Sequence, residues 1–257
     1  MKITKMHGAR NDFVIVDRRR GGRVDLARFA KWACDRRAGI GADGVIAIES
    51  SNLAGPRMRT INADGSEAEM CGNGVRCAAR WLDEAGQGAA ITFETEAGPI
   101  STEIVSRGSE YAVRVAMGCP AITPLSDGWF VDLGNPHVVL LRASIDDVDL
   151  KSVAEELQKD WQFTDGTNVH LAALQGPGAM HVAHWERGVG LTMACGTGAV
   201  ACAAVAIANG TLTSPVEVFV PGGRLVVEWD GTGNAYLTGP AVRVFDTEVD
   251  FDDDLAP

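Results

Sequence analysis

Two stretches of the chain put a cysteine directly in front of a glycine turn that opens into a helical pattern. They are AEMCGNGVRCAARW at 68–81 and TMACGTGAVACAAV at 192–205. A sulfur at the start of a helix lies among backbone N–H groups that no carbonyl has taken, at the positive end of the macrodipole, and this favours thiolate. The Gly-Asn-Gly and Gly-Thr-Gly that follow let the backbone approach a guest and aim amides at it, so an anionic group such as a carboxylate is expected there. One such turn alone reads equally well as an inert buried thiol. Two, if related by a pseudo-twofold axis, would face each other across a cleft, Cys71 on one side of a small ligand and Cys195 on the other. That suits a reaction in which one sulfur takes a proton from a carbon while the other delivers one to the opposite face.

The elements that must carry these turns repeat as well. Cys71 and Cys195 are 124 residues apart, and the hairpin glycines Gly98 and Gly223 are 125 apart. After each turn come a helix (75–84; 199–209), a glycine break and a strand pair, ITFETEAGPISTEI or VEVFVPGGRLVVEW. LARFAKWACDR after Asp25 and LKSVAEELQKD after Asp149 read as helices by their 3.6-residue period, at matching places. DFVIVD, GVIAIE, YAVRVAM, WFVDLG and HVVLL read as strands. The expectation is an α/β (α+β) fold of two duplicated, pseudo-symmetric halves, 1–117 and 118–243, divided near MGCPAITP, with 244–257 returning to the first half. The acidic tail DTEVDFDDDLAP reads as a solvated end.

Composition narrows the partners. At 257 residues and 46% hydrophobic, the chain can build a core without staples. A formal charge of −11 argues against nucleic acid or an anionic membrane surface, and the longest apolar run, AVACAAVAIA, is about half a membrane span. With no secretory pattern and no CxxC pair, the reading is a soluble, cytoplasmic protein with free thiols acting on a small molecule. Cys34, Cys77, Cys119 and Cys202 read as core or helix-face thiols, His7 as support for its turn, and Arg76 as a surface or supporting charge. His181 and His184 of HVAH fall on opposite faces of a strand, which argues against a metal pair.

ADGSEAEMCGNGVRCAA, GIGADG, GNPH and WERGVGLTMACGTGA together resemble the diaminopimelate epimerase family, in the family's order and over nearly the whole chain. The resemblance implies two curled, mostly antiparallel sheets, each around a central helix, with the active site in the cleft between them. It also implies a homodimer, an amino-acid substrate, and inversion of LL- to meso-diaminopimelate without pyridoxal phosphate or metal. Carried over residue by residue, it makes Cys71 and Cys195 the acid–base pair and puts His137 and Glu186 beside the sulfurs. The backbones of Gly72, Asn73, Gly196 and Thr197 would hold the reacting carboxylate, and Asn11, Asn62, Asn135, Asn168, Glu186 and Arg187 would bind the rest of the substrate.

Four positions depart from the family pattern. Arg10 replaces a glycine in HGARNDF, Gly44 ends GIGADG where some members carry an amide, and His170 and Leu191 stand where glutamate is frequent. The last two leave room for a racemase of another amino acid. From other classes come a thiol redox protein and a non-catalytic amino-acid-binding module. None of the four departures touches the cysteines.

Overall fold

Aspartate caps start two of the helices. In a computed structural model of the chain, which describes residues 1–21, 24–52, 55–146, 148–159, 163 and 165–251, Asp25 Oδ1 accepts from the Ala27 and Arg28 amides at 3.0 and 3.1 Å. Asp149 accepts from Ser152 N at 3.3 Å. Each cap contributes about 1 kcal/mol. The chain falls into two compact units, Met1–Val115 with the segment from Pro240 onward, and Ala116–Gly239.

The first unit begins with β1 (Lys2–Gly8), β2 (Asn11–Asp17), α1 (Leu26–Cys34), β3 (Gly44–Glu49), β4 (Arg57–Asn62) and β5 (Glu67–Ala68). It continues with α2 (Gly72–Glu84), β6 (Ala90–Thr95), β7 (Gly98–Ser106) and β8 (Ala112–Ala116). β2 and β3 pair in parallel, as do β4 and β6, while β1–β2, β3–β4, β6–β7 and β7–β8 are antiparallel. A parallel pair needs a crossover, and α1 and α2 supply one each. Leu26, Phe29, Ala30 and Ala33 of α1 pack on Val14, Val16, Val45 and Ala47. Helix α2 contacts β1, β2, β3, β4 and β7 and buries Gly72 through Ala79.

The second unit holds β9 (Ala121–Leu125), β10 (Gly128–Asp132), β11 (Pro136–Leu141), α3 (Leu150–Leu157), β12 (Asn168–Leu174), β13 (Ala179–Glu186) and β14 (Gly190–Thr192). These lead into α4 (Gly196–Ala208), β15 (Val216–Val220), β16 (Gly223–Glu228) and β17 (Tyr236–Pro240). Its succession of pairings is the same: β11–β12 and β13–β15 parallel, β10–β11, β12–β13, β15–β16 and β16–β17 antiparallel. Helix α4 is apolar almost all round, because strands β10 to β13, β15 and β16 contact it.

The final strand, β18 (Val242–Glu248), pairs antiparallel with β1. The acidic tail is therefore not simply a solvated end. Asp246 accepts from Thr4 Oγ1 at 2.7 Å, and the Phe251 ring sits edge-on to Phe29, centroids 5.1 Å apart. Residues 252–257 of that stretch lie outside the described residues. Among the described residues no helix is long and apolar enough to cross a membrane.

Candidate active site

Both cysteine helices start three residues earlier than their apolar pattern suggests. The glycine triplets are the first turn itself: Cys71 is the N-cap of α2 and Cys195 the N-cap of α4, both with extended backbones. Neither cysteine side chain makes a capping hydrogen bond, unlike the aspartates of α1 and α3. The amides of residues 72–74 and 196–198 are thus the first-turn donors of their helices.

In the first unit Cys71 is half-buried, and its carbonyl accepts from Val75 N at 2.8 Å. Arg76 corrects the surface reading, because it is fully buried. Its guanidinium donates to Asn73 Oδ1 at 2.7 Å, to Gly72 O at 3.3 Å and to Pro240 O at 3.1 Å, so it holds the turn from behind. Gly8, at the end of β1, lies so close that a Cβ there would meet Asn73 O at 2.8 Å. Asn11 heads β2, and its Oδ1 is buried without a hydrogen-bond partner among the described residues. Asn62 ends β4, is exposed, and donates to Ser66 Oγ at 2.9 Å. Between β1 and β2, Ala9 and Arg10 both take positive φ, 51° and 64°, and Arg10 N donates to His7 Nδ1 at 3.4 Å. His7 does support its turn. Arg10 adopts there the left-handed backbone that glycine adopts without penalty.

The second unit gathers more of the nominated residues. Cys195 is 4% exposed, with Thr197 Oγ1 3.6 Å from its sulfur. Burial pushes its thiol well above the ordinary value. The Glu186 carboxylate adds to this through its charge and a hydrogen bond, while Thr197 Oγ1 and the Gly198 amide act the other way. The helix N-terminus does favour thiolate, as read from the sequence, but burial and Glu186 outweigh it, and Cys195 rests as a thiol. Asn135 Nδ2 is 3.5 Å from Thr197 Oγ1, and Asn135 Oδ1 is 2.9 Å from His137 Nε2. Asn168 is engaged on both sides, donating to Pro136 O and accepting from the Arg187 amide, each at 2.9 Å. Arg187 is exposed, with Nη1 on Asp165 O at 3.2 Å.

His137 is fully buried, and both ring nitrogens are engaged, Nε2 by Asn135 and Nδ1 by His170 Nε2 at 2.9 Å. His170 Nδ1 in turn meets His184 Nδ1 at 2.9 Å. Burial, and for His137 the nearby Arg187 charge, drives His137 and His184 down to about 3; burial and its two neighbours drive His170 well below its ordinary value. All three are neutral imidazoles near pH 7. Gly198 allows the stack, since a Cβ there would run into the His170 ring, 2.7 Å from Nε2. His181 lies on the opposite, exposed face from His184, as the strand period requires. Among the described residues no cluster of His, Cys, Asp or Glu is arranged to hold a metal ion.

Sequence reasoning missed His184 as part of this region; it placed His170 at the rim of the site without its buried row, and left Arg76 open between a surface and a supporting charge. The 124-residue offset could have found the histidines, because it maps His137, His170 and His184 onto Phe13, Ile46 and Thr60, which belong to strands of buried character. Cys34, Cys77 and Cys202 are buried, whereas Cys119 is exposed and is not a core thiol.

Solved structures define the class first. The chain superposes with TM-score 0.75 on a phenazine biosynthesis protein of the PhzF family from Bacillus anthracis (19% identity, 98% of this chain and 99% of the other). The TM-score is 0.74 on a probable proline racemase from Agrobacterium radiobacter K84 (15% identity, 98% and 93%). The fold is the mixed α/β fold of these structures. Sequence goes further: a diaminopimelate epimerase family model matches residues 3–123 and 129–244. The diaminopimelate epimerase of Caldanaerobacter subterraneus subsp. tengcongensis is 38% identical over 97% of this chain and all of its own length. That of Desulforudis audaxviator is 40% identical over 96% and 98%. The chain belongs to the diaminopimelate epimerase family and is an isomerase.

Proposed function

We propose that the enzyme interconverts LL- and meso-diaminopimelate by two-base proton transfer at the α-carbon, in lysine and peptidoglycan precursor synthesis, as a cytoplasmic homodimer. The observation that carries the reading is the pair of cysteines at the N-caps of α2 and α4, where the other capped helices of the chain, α1 and α3, have aspartate. A substrate carboxylate fits the first-turn amides there, with Gly72 and Asn73 on one side and Gly196 and Thr197 on the other. In this reading the halves 1–117 with 244–257, and 118–243, are pseudo-symmetric and close a cleft over the substrate.

Cys71 as thiolate takes the α-proton. The C–H pair stays on carbon and spreads into the carboxylate, where the amides stabilise it. Cys195, resting as a thiol, gives its proton to the opposite face and becomes the thiolate, with Thr197 Oγ1 and Gly198 N to receive the charge. Glu186 orients that thiol and takes its proton when the direction reverses. His137, with both nitrogens engaged, acts through Asn135 as a positioning residue. Asn11 Oδ1 is available to the substrate ammonium, Asn62 and Asn168 shape the rim, and Arg187 offers a fork to the distal carboxylate.

The test is solvent deuterium entering the α-carbon across a panel of diamino and monoamino acids. Incorporation into diaminopimelate alone is expected. Incorporation only into monoamino acids would move the substrate to the racemase reading that Leu191 and His170 raise. Full epimerisation by Cys71→Ala would remove the two-base mechanism.

A further inference from the structure

The three stacked imidazoles are more than filler beneath α4. Each uses its ring nitrogens on the next, from His184 through His170 to His137, and His137 ends on the side-chain carbonyl of Asn135. From there the contacts run through Asn135 Nδ2 and Thr197 Oγ1 to the Cys195 sulfur. The whole path lies within the second unit.

A neutral imidazole has one donor and one acceptor, so a hydrogen-bonded row of them has a direction. A thiolate at Cys195 can only accept. Thr197 must then donate to it, and the Thr197 lone pair must take its hydrogen from Asn135 Nδ2. Asn135 Oδ1 therefore faces His137 and needs an Nε2–H there. His137 Nδ1 is left as acceptor for His170 Nε2–H, and His170 Nδ1 for His184 Nδ1–H. The structure already has Asn135 Oδ1 on His137 Nε2, so the same tautomers hold while Cys195 is a thiol, and the row is set before the sulfur is charged.

We propose that His170 and His184 are positioning residues that lock this hydrogen-bond direction, holding Asn135 so that the Thr197 hydroxyl points at Cys195 whenever that sulfur carries charge. The proposal rests on the two-base reading above. Two charged groups act on the path: Glu186, the last residue of β13, acts on Cys195, and Arg187 next to it acts on His137, where its positive charge favours the neutral ring. At the far end, His184 Nε2 and Thr192 Oγ1, on directly paired residues of β13 and β14, are both buried without partners among the described residues. Among the described residues the row thus has no carboxylate bonded at its foot to force a charge onto it. That is how a histidine can serve at 170, where the family pattern favours glutamate.

Two measurements test this. Nitrogen-15 NMR of the unliganded protein should show His137 and His170 as Nε2–H tautomers and His184 as Nδ1–H. The reversed set, or an imidazolium in the row at neutral pH, overturns the proposal. In a double-mutant cycle read by deuterium exchange into diaminopimelate, His170→Leu and Thr197→Val should each lower kcat about tenfold with KM nearly unchanged. The double variant should be no slower than the worse single one. His170→Gln, which can accept from His184 and donate to His137, should recover most of the rate. Independent effects that multiply to about a hundredfold, or a Gln variant as slow as Leu, overturn it. Should His170→Leu fail to fold, the tautomers and the Gln variant still decide. Should the wild type exchange no deuterium into diaminopimelate, the substrate assignment falls, and the tautomers alone judge the row.

Discussion

The beds beneath the two cysteine helices have one architecture and two chemistries. At a constant offset of 124 residues, Phe13, Ile46, Thr60 and Ala68 in the first unit correspond to His137, His170, His184 and Thr192 in the second, with matching strand registers. Arg76 corresponds to Val200, and Asn73 to Thr197. In the first unit the residue two beyond the cysteine is held by a buried guanidinium from its own helix; in the second, by an amide resting on a row of imidazoles. A duplicated scaffold fixes where the cysteine turn must be supported, while the supporting atoms have diverged. The divergence has a chemical consequence. Asn135 Oδ1 is occupied by His137, whereas Asn11 faces Phe13 across the same spacing and keeps its Oδ1 without a protein partner among the described residues.

The largest effect should come from the last residues of β4 and β13, Asn62 and Glu186. Glu186 acts on the sulfur of its own unit, raising the Cys195 thiol, while Asn62 is exposed and donates to Ser66 Oγ. Glu186→Gln should lower kcat about a hundredfold and also shift the thiolate absorbance of Cys195 to lower pH, because a negative neighbour has gone. Asn62→Ala should change KM more than kcat. Equal losses of kcat in both would break the comparison.

Arg76 and Val200 make the next contrast. Arg76→Leu leaves Asn73 Oδ1, Gly72 O and Pro240 O without their donor and should cost about 2–3 kcal/mol of stability in urea. Val200→Leu, an overpacking change in an apolar bed, should cost about 1–2 kcal/mol. A smaller loss for Arg76→Leu would mean that the guanidinium's own desolvation, which lowers its pKa, offsets what its hydrogen bonds contribute.

Much of this scaffold was legible. The aspartate caps and 3.6-residue period gave α1 and α3, and alternation gave β3 as GVIAIE to the residue. The cysteine helices were placed late because glycine is a poor helix former, and its low propensity hid the first turn that the N-cap position defines. The imidazole row is not legible in local pattern, since it joins β11, β12 and β13 and strand order is not visible there; the 124-residue offset alone points to it. Arg76 reads as a surface or a supporting charge, and the sequence does not choose between them, because an arginine is almost never fully buried unless its donors are satisfied and its acceptors include Pro240 O, from far along the chain.

The beds should also part in acid. His137 and His184 titrate near 3 when folded, against about 6.5 when unfolded. Between those values the unfolded chain binds more protons. The stability they allow is complete above about pH 6.5 and is lost as pH falls, by up to about 1.4 kcal/mol per pH unit for each imidazole. His184→Phe should flatten the urea midpoint's dependence on pH in that window by about one proton. Thr60→Val, at the matching place, should leave the slope unchanged. An unaltered slope in His184→Phe would show that the His184 ring already carries a proton in the folded protein.

The smallest contrast is in the turns that enter the beds. Arg10 and Gly134 correspond, both with positive φ, 64° and 88°. A side chain in that backbone region costs about 1–2 kcal/mol, partly offset because glycine frees the unfolded chain. Arg10→Gly should therefore raise stability by about 0.5–1 kcal/mol. Gly134→Ala should lower it by a similar amount, and through backbone strain alone, since no atom lies within 4 Å of a Cβ placed there. If Gly134→Ala loses stability while Arg10→Gly gains none, the Arg10 side chain contributes a contact worth its strain. The replacement of the family glycine would then be a second place, after the imidazole row, where one unit has exchanged the shared solution for its own.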